Sequence, residues 1–234
     1  MIINKVYHLA DLHIRNLQRH KEYRLVFKKF LKQVKEDNIE DSLIYIAGDI
    51  AHAKTEMSPE LVHEISWFLT ECAKLRETVL ITGNHDCNLN NSHRLDVLTP
   101  IIQNLGNDRI HYLRDTGVYN IHNLTFVVYS ILDNKENWPK GNTIDGENTI
   151  CLFHGPVNKA QTDIGYTVSS NSFQVDMFDG FDMAMLGDIH KRQTFGEGYE
   201  HIAYAGSMVQ QNHGELLENH GYLLWDIPTR TFTE

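Results

Sequence analysis

Three nearly unbroken apolar runs open the chain: KVYHLA at 5–10, SLIYIAG at 42–48 and TVLITG at 78–83. Stretches of helical periodicity separate them. Tyr23, Val26, Phe27, Phe30, Leu31 and Val34 recur at i, i+3, i+4, i+7, i+8 and i+11, one face of a helix. Ser58-Pro59 offers an N-cap followed by an N1 proline for a second helix that runs to about Leu75. A third helix is predicted from Leu95 to Leu105, ending at Gly106. Strands apolar on both sides must be covered on both faces, so this β-α-β-α-β order predicts a largely parallel sheet with helices on it.

After Asn107 the pattern changes. RIHYL, GVYNI, LTFVVYS, NTICLF, FDMAMLG, EHIAYAG and HGYLLWDI read as short strands, several joined by hairpin-length turns such as His122-Asn123. One short helix is predicted near Phe173–Phe178. The expectation is an α/β first half joined to a β-rich second half, two sheets packed together with helices outside. No internal repeat, low-complexity tract or linker interrupts residues 1–234, so a single domain is expected.

Composition narrows the classes. No apolar run approaches the roughly 18 residues of a membrane span, and the start, MIINKVYH, lacks a secretory layout. Cys72, Cys87 and Cys151 form an odd set with no CxxC spacing, which points to a reducing, cytoplasmic setting without disulfides. With 21 Lys+Arg against 31 Asp+Glu, the formal net charge is −10, which by itself argues against a nucleic-acid partner. The 14 histidines qualify that argument.

Five polar clusters each follow a predicted strand: Asp11-Leu12-His13, Gly48-Asp49, Gly83-Asn84-His85-Asp86, Phe153-His154-Gly155 and Gly187-Asp188-Ile189-His190. Loops at the carboxyl ends of such strands are where α/β sheets place ligands. Together these clusters supply the carboxylates, imidazoles and amide of a two-metal centre. Asp49, in a tight Gly-Asp turn, suits the bridge between two cations. Asp11 and His13 lie two residues apart and can grip one ion from the same side. Asn84 adds a neutral oxygen, His154 and His190 add imidazoles, and Asp188 and His190 can reach neighbouring ions. The mixed O/N set without thiolates suits Mn²⁺ first, then Mg²⁺, Fe or Zn²⁺.

In order, these clusters read DxH…GD…GNHD…H…GxxH, which resembles the calcineurin-like metallophosphoesterases. HLADLHI, GDIAHAKTEMSP, LGDIHKR, AYAGSMVQQNHGE and HGYLLWDI further resemble the SbcD-like nuclease subunits of DNA double-strand-break repair complexes, over about residues 5–226. The resemblance implies a four-layer α/β/β/α sandwich around two central mixed sheets. It implies one metal on Asp11, His13, Asp49 and His190, and a second on Asp49, Asn84, His154 and Asp188. Asp188 departs from the family pattern, which has His there. It also implies that His85 serves the scissile phosphate and that His52 lies near the substrate.

The activity implied is DNA hydrolysis, by an exonuclease with endonuclease action on single strands open to it. The implied partners are DNA and an SMC-like coiled-coil ATPase, with homodimerisation through the helices. The capping and ATPase-binding segments of that family are expected to be absent or truncated. A small-substrate phosphodiesterase or phosphatase on the same dimetal site is one alternative. A weakly active scaffold that binds DNA ends or the ATPase is another. Residues 15–35 hold eight of the 21 basic side chains, ordinarily a solvated helix face. Arg15 and Arg19, nearest the metal loop, are the expected backbone-phosphate contacts. His8 is expected to be structural, Cys87 a small buried residue, and Gly206-Ser207 a backbone turn beside the site.

Overall fold

The computed structural model describes residues 1–169 and 172–234. In chain order its elements are β1 (Lys5–Leu9), α1 (His20–Asp37), β2 (Ser42–Ala47), α2 (Pro59–Leu75), β3 (Glu77–Ile81), α3 (Leu98–Leu105), β4 (Ile110–Tyr112), β5 (Gly117–Ile121), β6 (Leu124–Tyr129), β7 (Thr149–His154), β8 (Met183–Gly187), β9 (Gln193–Thr194), β10 (Ile202–Tyr204), β11 (Leu223–Asp226) and β12 (Thr231–Thr233). They form two six-stranded sheets, ordered β12-β11-β1-β2-β3-β4 and β5-β6-β7-β8-β10-β9. Each has a parallel centre with antiparallel strands at its margins, β11 and β12 in one sheet and β5 and β9 in the other.

Side-chain alternation along the central strands sorts the core into layers. From β2, Leu43, Tyr45 and Ala47 face the second sheet, where they join Phe126, Leu152, Met183 and Met185. Ile44 and Ile46 face the helices, where they meet Phe27, Phe68 and Leu69. The far face of the second sheet, with Cys151, Phe153 and Leu186, is covered by Val157 and Phe178. That outermost layer contains three short 3₁₀ turns, at Lys135–Asn137, Gly141–Thr143 and Val175–Phe178. The sandwich expected from the sequence is therefore present, with α-helices on one side and short turns and loops on the other.

Local chemistry explains the helix boundaries. The Ser58 side chain accepts the Leu61 N–H, and Pro59 follows at the first helical position, as expected. The buried face of α1 is Tyr23, Phe27, Phe30 and Val34. α3 starts at Leu98, not Leu95, because the Asp96 carboxylate accepts the N–H groups of Leu98 and Thr99. Strands β9 and β12 escaped the sequence reading: both are short edge strands with exposed positions and little alternation.

The chain returns to the first sheet through β11, antiparallel to β1. Trp225 on that strand is fully buried between the sheets; its Nε1–H donates to Nδ1 of His8 at 3.3 Å, and its ring meets Phe232. His8 stacks on Tyr45, and burial drives its pKa down to about 3, so it is a neutral structural acceptor as expected. Cys72, Cys87 and Cys151 are free and buried. Among the described residues no helix is long and apolar enough to cross a membrane. Trp225→Ala would leave a cavity between the sheets and an unpaired His8; a loss of about 3–5 kcal/mol in urea unfolding is expected.

Candidate metal centre

Asp11 and His13 follow β1, Asp49 follows β2, and Asn84 and His85 follow β3. His154 ends β7, while Asp188 and His190 follow β8. The first three strands belong to one sheet and the last two to the other, so the groups meet where the sheets' carboxyl ends come together. Asp11, His13, Asp49 and Asp188 all have positive φ, between 44° and 98°. Left-handed backbone costs such residues roughly 1–3 kcal/mol each, and its concentration at one place marks a functional loop cluster. Gly83 is required by close approach: a Cβ there would collide with the Asp49 carboxylate.

Short distances link the donors around Asp49 and Asp11. Nε2 of His13 lies 3.0 Å from Nε2 of His190 and 3.5 Å from Oδ2 of Asp49, and Asp11 groups with these two histidines. Nε2 of His154 lies 3.0 Å from Oδ1 of Asn84, 3.4 Å from Oδ1 of Asp49 and 3.8 Å from Oδ1 of Asp188. Around an ion bound at about 2.1 Å, neighbouring donors stand about 3.0 Å apart in an octahedron and about 3.4 Å apart in a tetrahedron. The 3.0 and 3.4 Å separations fall in that range, the 3.5 Å one lies just beyond it, and Asp188, at 3.8 Å, is the loosest member. Asp11 also groups with Asp49 and His154, so both carboxylates lie between the histidines of the two sides.

Tautomers fit the same purpose. Nδ1 of His154 pairs with the Ala47 carbonyl at 2.6 Å, and Nδ1 of His190 pairs with Oε1 of Glu215 at 2.7 Å. Each bond fixes a proton on Nδ1 and turns Nε2 inward, where a cation can replace the proton it carries. Nε2 of His190 and Nε2 of His13 stand 3.0 Å apart, close enough to share one proton or one cation. The donor set therefore fits divalent ions.

Electrostatics agree. Burial raises the Asp11 carboxyl to about 7, despite the lowering effect of His190 and His154. Burial also acts to raise Asp49, but the imidazoles of His154 and His13 outweigh it and hold that carboxylate well below its ordinary range. Burial would lower His190, yet the Glu215 hydrogen bond and Asp11 raise it to about 9. Burial dominates at Asp188 as well and raises it.

The remaining predicted residues lie close by. Rings of His85 and His52 stand 4.7 and 5.5 Å from that of His13, and these three form a further close imidazole cluster. The His85 backbone N–H donates to Oδ1 of Asp49, and its Nδ1 pairs with the His52 carbonyl at 2.6 Å. Arg15 reaches the site's edge, donating to the Gln211 carbonyl, while its Nε is buried without a partner. Arg19 is engaged elsewhere, in a two-pronged ion pair with Glu22. Cys87 donates from its thiol to the Gly83 carbonyl, and the backbone of Gly206-Ser207 turns against His190, as expected for both.

Two residues escaped the sequence reading. Asp86, inside the GNHD run, turns away from the donors and accepts backbone N–H groups of Ile50, Ala51 and Gly83, clamping two ligand loops together. Glu215 is buried and accepts from His190, the Gln211 N–H and the Asn212 amide. Gln211 in turn donates to the Leu12 carbonyl, so this loop ties Asp11-Leu12-His13 to His190.

A family model described as calcineurin-like phosphoesterase matches residues 4–192. The chain is 42% identical over 238 residues to the uncharacterized protein R555 of Acanthamoeba polyphaga mimivirus. That alignment covers 96% of this chain but only 17% of the mimivirus protein, so the chain spans a small part of its relative. Among solved structures, TT1561 of Thermus thermophilus superposes with a TM-score of 0.54 over 99% of this chain and 97% of that one. At 10% identity this likeness concerns the fold alone.

Metal binding must displace protons from Asp11 and His190, so affinity for Mn²⁺ should rise with pH from about 6 to about 9, measured by calorimetry. Glu215→Gln should weaken the ion held through His190 about 10–100-fold while leaving the fold intact by circular dichroism; unchanged affinity would remove Glu215 from the centre.

Proposed function

The chain belongs to the calcineurin-like phosphoesterase family, and on that footing we propose a metal-dependent nuclease that cleaves phosphodiester bonds of DNA. The observation that carries the reading is the convergence of carboxylate, imidazole and amide donors around Asp49 from five strand ends. Two divalent ions, Mn²⁺ as first choice, would supply Lewis-acid activation of a water and neutralise charge on the phosphate. Asp11, His13, Asp49 and His190 would hold one, and Asp49, Asn84, His154 and Asp188 the other.

The protein's own groups supply the rest. With Nδ1 of His85 committed to the His52 carbonyl, Nε2 is the nitrogen left to face substrate, where a proton can pass to the leaving oxygen. The His52 ring lies stacked beside that of His85, with centroids 5.6 Å apart. Arg15, held by the Gln211 carbonyl, offers a guanidinium for a neighbouring backbone phosphate. Support for DNA as the substrate comes from the SbcD-like runs of the sequence, above all HLADLHI and GDIAHAKTEMSP. A small-substrate phosphodiesterase is favoured by one observation: Arg19 and Arg24 spend their charge on Glu22 and Glu64, which reduces the free cationic charge of the 15–35 segment.

Two measurements separate these readings. End-labelled duplex and single-stranded DNA should be digested in Mn²⁺ and not in EDTA; turnover of bis(p-nitrophenyl) phosphate alone, with DNA intact, would select the small-substrate reading. His85→Asn should keep Mn²⁺ affinity within about twofold while turnover falls roughly 10²–10⁴-fold. Full turnover in that variant would end the proposed role of His85.

A further inference from the structure

We infer that the recess beside Asn84, His154 and Asp188 is a subsite for the heteroaromatic base of the nucleotide being cleaved, an inference that rests on the phosphodiesterase reading. The recess has a volume of about 590 Å³. Its lining combines those three polar residues with the side chains of Leu89, Ile131, Trp138 and Phe173. Holding a phosphate requires no apolar wall. An apolar recess of several hundred Å³ directly beside phosphate-handling groups matches a ligand with a ring attached to its phosphate.

The wall is built to stay in place. Nε1 of Trp138 donates to the Ser130 carbonyl at 3.2 Å. Its ring stacks on Tyr129 at 4.7 Å and 12°, and on Phe173 at 5.8 Å and 22°. Trp138 and Phe173, the two of these rings that line the recess, are thereby held as a preorganised aromatic wall of the kind against which bases bind irrespective of sequence. At the mouth stand Asp133, Asn134, Lys135 and Glu136, all exposed. Their amide, ammonium and carboxylate groups match ring nitrogens and exocyclic amines. The two carboxylates repel a further phosphate, so the recess suits a base and not the continuing backbone. An alkyl chain would leave these polar groups unused.

A base placed there has left its neighbours in the stack. The preferred substrate is therefore an unpaired or terminal nucleotide, not one inside a duplex.

Calorimetric titration of the Mn²⁺-loaded protein tests this with deoxyadenosine 5′-monophosphate, 2-deoxyribose 5-phosphate and octyl phosphate. The nucleotide should bind about tenfold or more tighter than the sugar phosphate. Leu89→Ser, at a half-exposed position, and Ile131→Thr should remove most of that advantage without changing affinity for the sugar phosphate or for Mn²⁺. Equal affinity for nucleotide and sugar phosphate overturns the subsite, as does octyl phosphate matching the nucleotide or an advantage that survives both substitutions. Hydrolysis of bis(p-nitrophenyl) phosphate by the unmodified protein distinguishes the two levels. If it proceeds while the base advantage is absent, only the subsite falls. If neither hydrolysis nor Mn²⁺ binding occurs, the phosphodiesterase reading falls and the subsite with it.

Discussion

A single buried carboxylate sets the terms for this structure. Asp49 is 2% exposed, and a charge so far from water must be matched or it will not stay ionised. It is matched from both sheets: His13 approaches one oxygen, while His154 and the His85 backbone N–H approach the other. Gly83 leaves room for it, and Gly48 makes the turn that delivers it. Each partner comes from a different strand end, so the ends of β1, β2, β3 and β7 are held in register by the electrostatics of one side chain.

That arrangement needs two sheets facing each other at a fixed distance. The apolar layer between them, from Val6 and Tyr45 across to Phe126 and Met185, provides the spacing. Nδ1 of His154 crosses the seam to the Ala47 carbonyl, locking the tip of one sheet to the tip of the other. Asp86 and Glu215 then work as braces behind the donors. One collects the backbone N–H groups of the Asp49 and Asn84 loops. The other fixes His190 and, through Gln211, the Leu12 backbone. Rigid braces around strained, positive-φ donor residues are how a site holds a geometry that its own backbone would relax.

How much of this was legible in the sequence depended on how local each signal was. Helix α1 and the central strands were readable because apolar periodicity is local. So was the position of the polar clusters, which sit immediately after strands. Asp86 was visible but ambiguous: nothing in GNHD says whether its carboxylate points toward ions or toward backbone N–H groups. Glu215 was hidden because it acts on a residue 25 positions earlier, from a loop with no periodicity. Arg19 pairs with Glu22, three residues on and a natural helical partner. The return of β11 to pair with β1, more than two hundred residues apart, has no local signature at all.

The sequence by itself determined the element types, the burial of the central strands, and a set of hard and borderline donors at their carboxyl ends. Each of these follows from short-range rules of side-chain spacing and chemistry. Only the tertiary structure decided which donors share a centre, which ring nitrogen each histidine turns inward, and which carboxylates brace the site without entering it. The physical reason is that proton placement and ion pairing depend on separations of about 3 Å. Those separations are between residues far apart in the chain, and packing of the two sheets sets them.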